Sequence, residues 1–146
     1  MTKPGTHVVL NRVLTTLYRS LPMYLAYATP WTQRGDDKAV AALQRIVADQ
    51  KQMANRIAQY VLEHHGPIEM GEYPVDFLDT HDLALDFLVS KLVQCQKQDI
   101  AELEKCVALL QSDRPACALA EEALGAARGH LESLEELTGQ LVKWSS

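Results

Sequence analysis

Apolar residues recur every three or four positions along four long stretches of this chain, the periodicity of helices with one buried face. The first stretch runs from about Thr6 to Ala28, with Leu10, Val13, Leu14, Leu17, Leu21, Tyr24 and Leu25 on one stripe. Pro22 lies inside it and predicts a kink or a shift in hydrogen bonding, because its nitrogen carries no proton. Pro30 helps to end the helix. The second stretch starts near Asp36-Asp37, where carboxylates suit a helix N-terminus. Its stripe is Val40, Leu43, Val47, Gln50, Ala54, Ile57 and Val61, with Ile46 and Met53 alongside. It stops at His64-His65, before Gly66 and Pro67. The third begins near Asp79 and carries Leu85, Leu88, Leu92, Cys95, Leu103, Cys106 and Leu110. The fourth opens around 112–115, where Pro115 suits a first turn. Its inner stripe is Ala116, Ala120, Ala123, Ala127, His130, Leu134, Leu137 and Leu141, and the small residues allow a neighbouring helix to approach closely.

No stretch has the pattern of a strand, and no internal repeat is visible. The chain therefore predicts an all-α fold in which four amphipathic helices bury their stripes against one another, as one domain over 1–146. The links near 30–35 and 112–115 are short, so helices one and two should pair antiparallel, as should three and four. The middle link, from Gly66 to Leu78, is longer. A helix of about 28 residues is about 42 Å long, and a link of about 13 extended residues reaches about 43–47 Å. Such a link can return along the whole bundle. The expected topology is two antiparallel hairpins joined by one long crossover.

Composition narrows the function. With 146 residues, 47% hydrophobic and 23% charged, the chain is an ordinary globular length and mixture. A net charge of −5 argues against a general nucleic-acid binder. The N-terminal residues Met1-Thr2-Lys3-Pro4-Gly5 do not lead into a signal-peptide core, and no run is long enough to span a membrane. Cys95, Cys106 and Cys117 form neither a disulfide nor a zinc framework, which points to a reducing, cytoplasmic setting.

Several local words, in order, resemble the ferritin-like superfamily, bacterioferritin most closely. They are Leu10-Asn11-Arg12, Asp49 through Arg56, Asp82-Leu83-Ala84-Leu85-Asp86 and Gly129-His130-Leu131. The resemblance implies a four-helix bundle with a di-iron site inside it, built from a Glu on each of two helices and a Glu-x-x-His pair on each of the others. Carried over position by position, it places Leu17 at the first Glu, Gln50 and Met53 at the helix-two pair, Asp86 at the helix-three Glu, and Ala127 and His130 at the helix-four pair. Only Asp86 and His130 could ligate iron as they stand. Glu-x-x-His does not occur in this chain, and no acid precedes Asp36, so no shift of register restores a helix-one carboxylate. The haem-binding Met of bacterioferritins is replaced by Lys51.

The sequence thus predicts a ferritin-like protein lacking a competent di-iron centre, with no catalytic residues, cofactor or metal, and a binding or structural role as a homodimer. One alternative is a metal-binding protein or oxidoreductase that holds one iron or other divalent ion through Asp86, His130 and either Asp49 or Gln50. Another is a non-ferroxidase subunit of an iron-storage assembly. An Asp86–His130 contact is expected where the metal would lie. His64, His65, Glu69, Glu72, Asp76, Asp79, His81 and Asp82 could bind a surface cation but read first as polar loop and helix-end groups. Tyr18, Met23, Tyr24, Tyr27 and Trp31 read as core packing, with any exposed members available to a dimer face. Residues 70–77 could present a recognition surface, although packing over the bundle explains their aromatics equally well.

Overall fold

The computed structural model describes residues 5–28, 37–64, 66–69, 71–74, 77 and 85–145, of which 27, 28, 37, 85–87 and 140–145 are described by backbone alone. These residues form five helices and no strand: α1 (Thr6–Tyr18), α2 (Leu21–Ala28), α3 (Asp37–Glu63), α4 (Leu85–Leu109) and α5 (Arg114–Ser145). The fold is all-α. None of the described helices is long and apolar enough to cross a membrane.

The first helical stretch of the sequence is two helices, and the reason is local. Pro22 has no N–H to offer Tyr18, so the α-helical ladder stops. Arg19 N–H still reaches Thr15 O at 2.9 Å, closing α1. Ser20 then opens α2: its carbonyl accepts from Tyr24 N–H at 3.0 Å, and its hydroxyl accepts from Met23 N–H at 3.4 Å. That is N-cap chemistry, with proline in the first turn where its missing donor costs nothing. The same grammar starts α5, where Asp113 Oδ1 accepts from Ala116 N–H at 3.3 Å and Pro115 again sits in the first turn.

Side-chain contacts fix how neighbours run. His7 lies by Gly66, and Tyr18 donates to Asn55 at 2.6 Å, so α1 and α3 are antiparallel. Arg56–Glu122 at 2.5 Å and Asp49–His130 at 3.0 Å set α3 against α5 in the same sense. Gln96 donates to Ala127 O at 2.9 Å and Cys117 lies by Val107, so α4 and α5 are antiparallel as well. The described residues between 66 and 77 follow α1 and α2 in chain order. Asn11 donates to Pro67 O and accepts from Glu69 N–H, both at 2.8 Å. Arg19 Nε donates to Gly71 O at 2.9 Å, and its guanidinium covers the Tyr73 ring. Tyr73 and Phe77 then pack on Tyr24, with ring centroids 5.1 and 5.7 Å from it. Tyr24 is buried in this way, and Met23 is buried as well, so both belong to the interior of the chain.

Two glycines are required here. At Gly66 an added Cβ would lie 2.9 Å from His7 Cβ, so a larger residue would hold α1 and α3 apart. Gly71 has φ +63° and lies against the Thr15 methyl group. That left-handed conformation strains any residue with a Cβ.

The core falls into two apolar clusters. One joins Leu10, Leu14 and Leu17 of α1 to Met53 and Ile57 of α3, Ile100 and Leu103 of α4, and the alanine face of α5 through Ala127. The other joins Leu21 and Tyr24 of α2 to Leu43 and Ile46, Leu88 and Leu92, and Leu134 and Leu137. Burying each of the larger aliphatic side chains contributes about 1.5–3 kcal/mol.

Candidate functional site

Between the clusters lies a polar layer. Along the chain, one buried polar residue separates them in each helical segment: Ser20 between Leu17 and Leu21, Gln50 between Ile46 and Met53, Gln96 between Cys95 and Ile100, and His130 between Ala127 and Leu134. Buried polar groups are tolerated only when paired, so the partners matter. Ser20 Oγ donates to Gln50 Oε1 at 2.9 Å. Gln96, 1% exposed, donates through Nε2 to Ala127 O. His130 Nε2 meets Asp49 Oδ2 at 3.0 Å. A carboxylate only accepts, so Nε2 is the donor in this contact. His130 Nδ1 and Gln96 Oε1 are buried without a hydrogen-bond partner.

The sequence-derived site residues divide between this layer and the apolar clusters. Leu17, Met53 and Ala127 are buried together in the first apolar cluster. Gln50 is buried but spends its amide oxygen on Ser20. His130 is placed in the interior, and the acid it meets is Asp49 of α3. The Asp86 side chain lies outside the described residues, so the expected Asp86–His130 contact does too. The sequence offers Asp49 only as an alternative ligand, because its place on the exposed edge of the α3 stripe gives no sign of a partner on α5. Ser20 was missed altogether, although Ser-x-Pro is a helix-start signal.

These residues do not fit a pair of iron ions. Two ferric ions need several hard anionic oxygens. Leu17 and Ala127 supply no donor, Met53 supplies a soft one, and Gln50 is neutral and already engaged. Among the described residues, no three or more His, Cys, Asp or Glu side chains converge on a point. Of the surface group, His64 stacks on Tyr60 with centroids 4.0 Å apart and bonds its carbonyl at 2.9 Å, while Glu69 is fixed through its backbone by Asn11. His65, Asp76, Asp79, His81, Asp82 and Trp31 lie outside the described residues. The three cysteines are buried and none is in a disulfide. Burial pushes the Cys106 thiol up to about 11 and raises Cys117 as well, so neither is poised as a nucleophile.

A second location was not legible in the sequence. Two adjoining cavities, of about 400 and 410 Å³, lie over α1, walled by α4 and by Glu69, Gly71, Glu72, Pro74 and Phe77, and share Thr15, Thr16 and Glu102. Arg12 crosses one of them to pair with Glu102. The other holds Asp99, half-buried and with no partner among the described residues. Burial, with a smaller contribution from Glu102, pushes the Asp99 carboxyl up to about 7. The surroundings of Asp99 depend on where Glu72, Pro74 and Phe77 lie, which hydrophobic periodicity does not reveal.

No protein-family model matches the sequence. No curated protein matches it either.

Proposed function

We propose that this chain is a ferritin-like four-helix bundle, two helical hairpins joined by a long crossover, that has a binding or structural role and no di-iron chemistry. Three observations support the topology. Helices α3 and α4 both oppose α5, so they point the same way. The chain between them must then return along the molecule, and the contacts of Pro67, Glu69, Gly71, Tyr73 and Phe77 with α1 and α2 follow that course. The break at Ser20 leaves α1 and α2 together in the place of a single first helix.

One observation carries the functional reading. Three positions at which the resemblance calls for metal ligands, Leu17, Met53 and Ala127, are packed into a continuous apolar cluster. A carboxylate in such a place would have to be neutralised or paired; Leu17 gains apolar burial instead. Buried thiols outside any disulfide suit a reducing compartment, and a homodimer is part of the proposal. Titration with ferrous iron while oxygen uptake is followed tests the chemistry. We expect uptake equal to that of iron in buffer; accelerated uptake that is saturable at two irons per chain would refute it. Sizing chromatography tests the assembly, with a dimer expected and a many-subunit cage contradicting it.

A mononuclear metal site is the second reading, favoured by one feature. A ligating imidazole commonly gives its other N–H to a carboxylate, and His130 has that arrangement with Asp49 behind it and Nδ1 unpartnered. Metal analysis of protein purified without chelator separates the two. Stoichiometric metal that disappears in His130→Ala would establish the second reading.

A further inference from the structure

We propose that the polar layer is a binding site for one internal water molecule, held between Gln96 Oε1 of α4 and His130 Nδ1 of α5. The site stands where no metal takes the imidazole, so it depends on the function proposed above. Gln96 is 1% exposed and His130 8% exposed. Gln96 Oε1 and His130 Nδ1 have no hydrogen-bond partner among the described residues, each other included. Orphaned polar atoms this deeply buried are costly and rare in folded proteins.

The backbone of α5 brings the two side chains to one height. Gln96 Nε2 donates to Ala127 O at 2.9 Å. A carbonyl only accepts, so the amide cannot be turned over: the swap would set two oxygens against each other. Gln96 Oε1 is therefore held beside Ala127. His130 lies three residues further along the same helix, and a helical side chain leans back over the turn before it. The imidazole thus covers the turn that carries Ala127. Its Nε2 is committed to Asp49 Oδ2 on α3 at 3.0 Å, which leaves Nδ1 as the ring atom with bonding capacity to spare. Two hydrogen bonds of about 2.8 Å that meet at one water span about 4.5 Å, the reach needed to join neighbours too far apart to bond directly.

Water suits this place chemically. It both donates and accepts, so it gives one proton to Gln96 Oε1 and meets Nδ1 in either protonation state of the ring. An apolar occupant would leave both atoms unpaired. The apolar clusters close the layer on both sides, with Ile100 and Ala127 in one and Cys95 and Leu134 in the other, which favours a very small occupant. The bridge completes a hydrogen-bonded chain from Asp49, whose side chain is 50% exposed, through His130 and the water to Gln96 and the backbone of α5. Helices α3, α4 and α5 are then tied at one level, as buried waters commonly tie polar groups that side chains alone leave unmatched.

The test is diffraction at atomic resolution from crystals of the unmodified chain, with anomalous data. One water oxygen is expected within about 2.6–3.2 Å of both Gln96 Oε1 and His130 Nδ1. A direct Gln96–His130 bond, or no density between the two, would overturn the proposal and leave the proposed function standing. An anomalous scatterer about 2.0–2.3 Å from Nδ1 would overturn both. Crystals of Gln96→Leu are the second arm: the water should be lost while the Asp49–His130 contact remains. A water kept on Nδ1 at the same place in that variant would show that Gln96 does not hold it, and would also overturn the proposal.

Discussion

A carboxyl group that is half-buried without a partner costs free energy to ionise, and Asp99 is such a group. Unfolded, it loses its proton near the ordinary Asp value; folded, it keeps it until about 7. Unfolding between those values releases a proton, so this group makes stability fall as pH rises from about 4 to about 7 and leaves it level above. The effect is on the order of 2–4 kcal/mol. In Asp99→Asn that slope should disappear, making the variant more stable than the parent at pH 8 in urea unfolding; a parallel pH profile would show that Asp99 does not carry it. Ser20 is the other decisive residue. Its hydroxyl caps α2 and satisfies Gln50, so Ser20→Ala should lose about 1–3 kcal/mol. Combining it with Gln50→Leu should recover part of that loss, because the stranded buried amide oxygen goes too.

At the scale of elements, the described residues between 66 and 77 are held by backbone geometry as much as by side chains. Gly71→Ala places a Cβ in a left-handed conformation against Thr15 and should destabilise the protein by about 1–2 kcal/mol, read from the shift in urea midpoint. Much of the element order was legible. The stripe on α3 reads directly because most of its buried residues are apolar and most of its exposed ones polar or charged. The end of α3 reads from Gly66-Pro67 and the start of α5 from Asp113 and Pro115. The first stretch was harder: its apolar stripe continues from Leu17 to Leu21 across the break, so periodicity hides it. Ser20-Leu21-Pro22 carried the same signal as Asp113-Arg114-Pro115, and only the latter lay beside a visible loop. The polar layer was half legible. Gln50 and His130 stand out on apolar stripes, whereas Gln96 and Ser20 acquire meaning only once the helices are set side by side. The pairing of His130 with Asp49 depends on the relative height of α3 and α5, a tertiary quantity that no local pattern contains.

Across the whole molecule, two apolar clusters flank a polar layer in which Ser20, Gln50, Gln96 and His130 make specific bonds. The proposed ferritin-like scaffold would put metal among these helices; the packing of Leu17, Met53 and Ala127 gives that space to hydrocarbon. A carboxylate returned to it should therefore be costly. Leu17→Glu is expected to lose about 3–5 kcal/mol, the order of an uncompensated buried charge, and ferrous iron should not restore the loss in thermal unfolding. The most direct measurement is anomalous diffraction at the iron edge from crystals of the unmodified protein equilibrated anaerobically with ferrous iron. No iron peak is expected among Leu17, Gln50, Met53, Ala127 and His130; a pair of well-occupied peaks there would show that the bundle holds a di-iron centre after all.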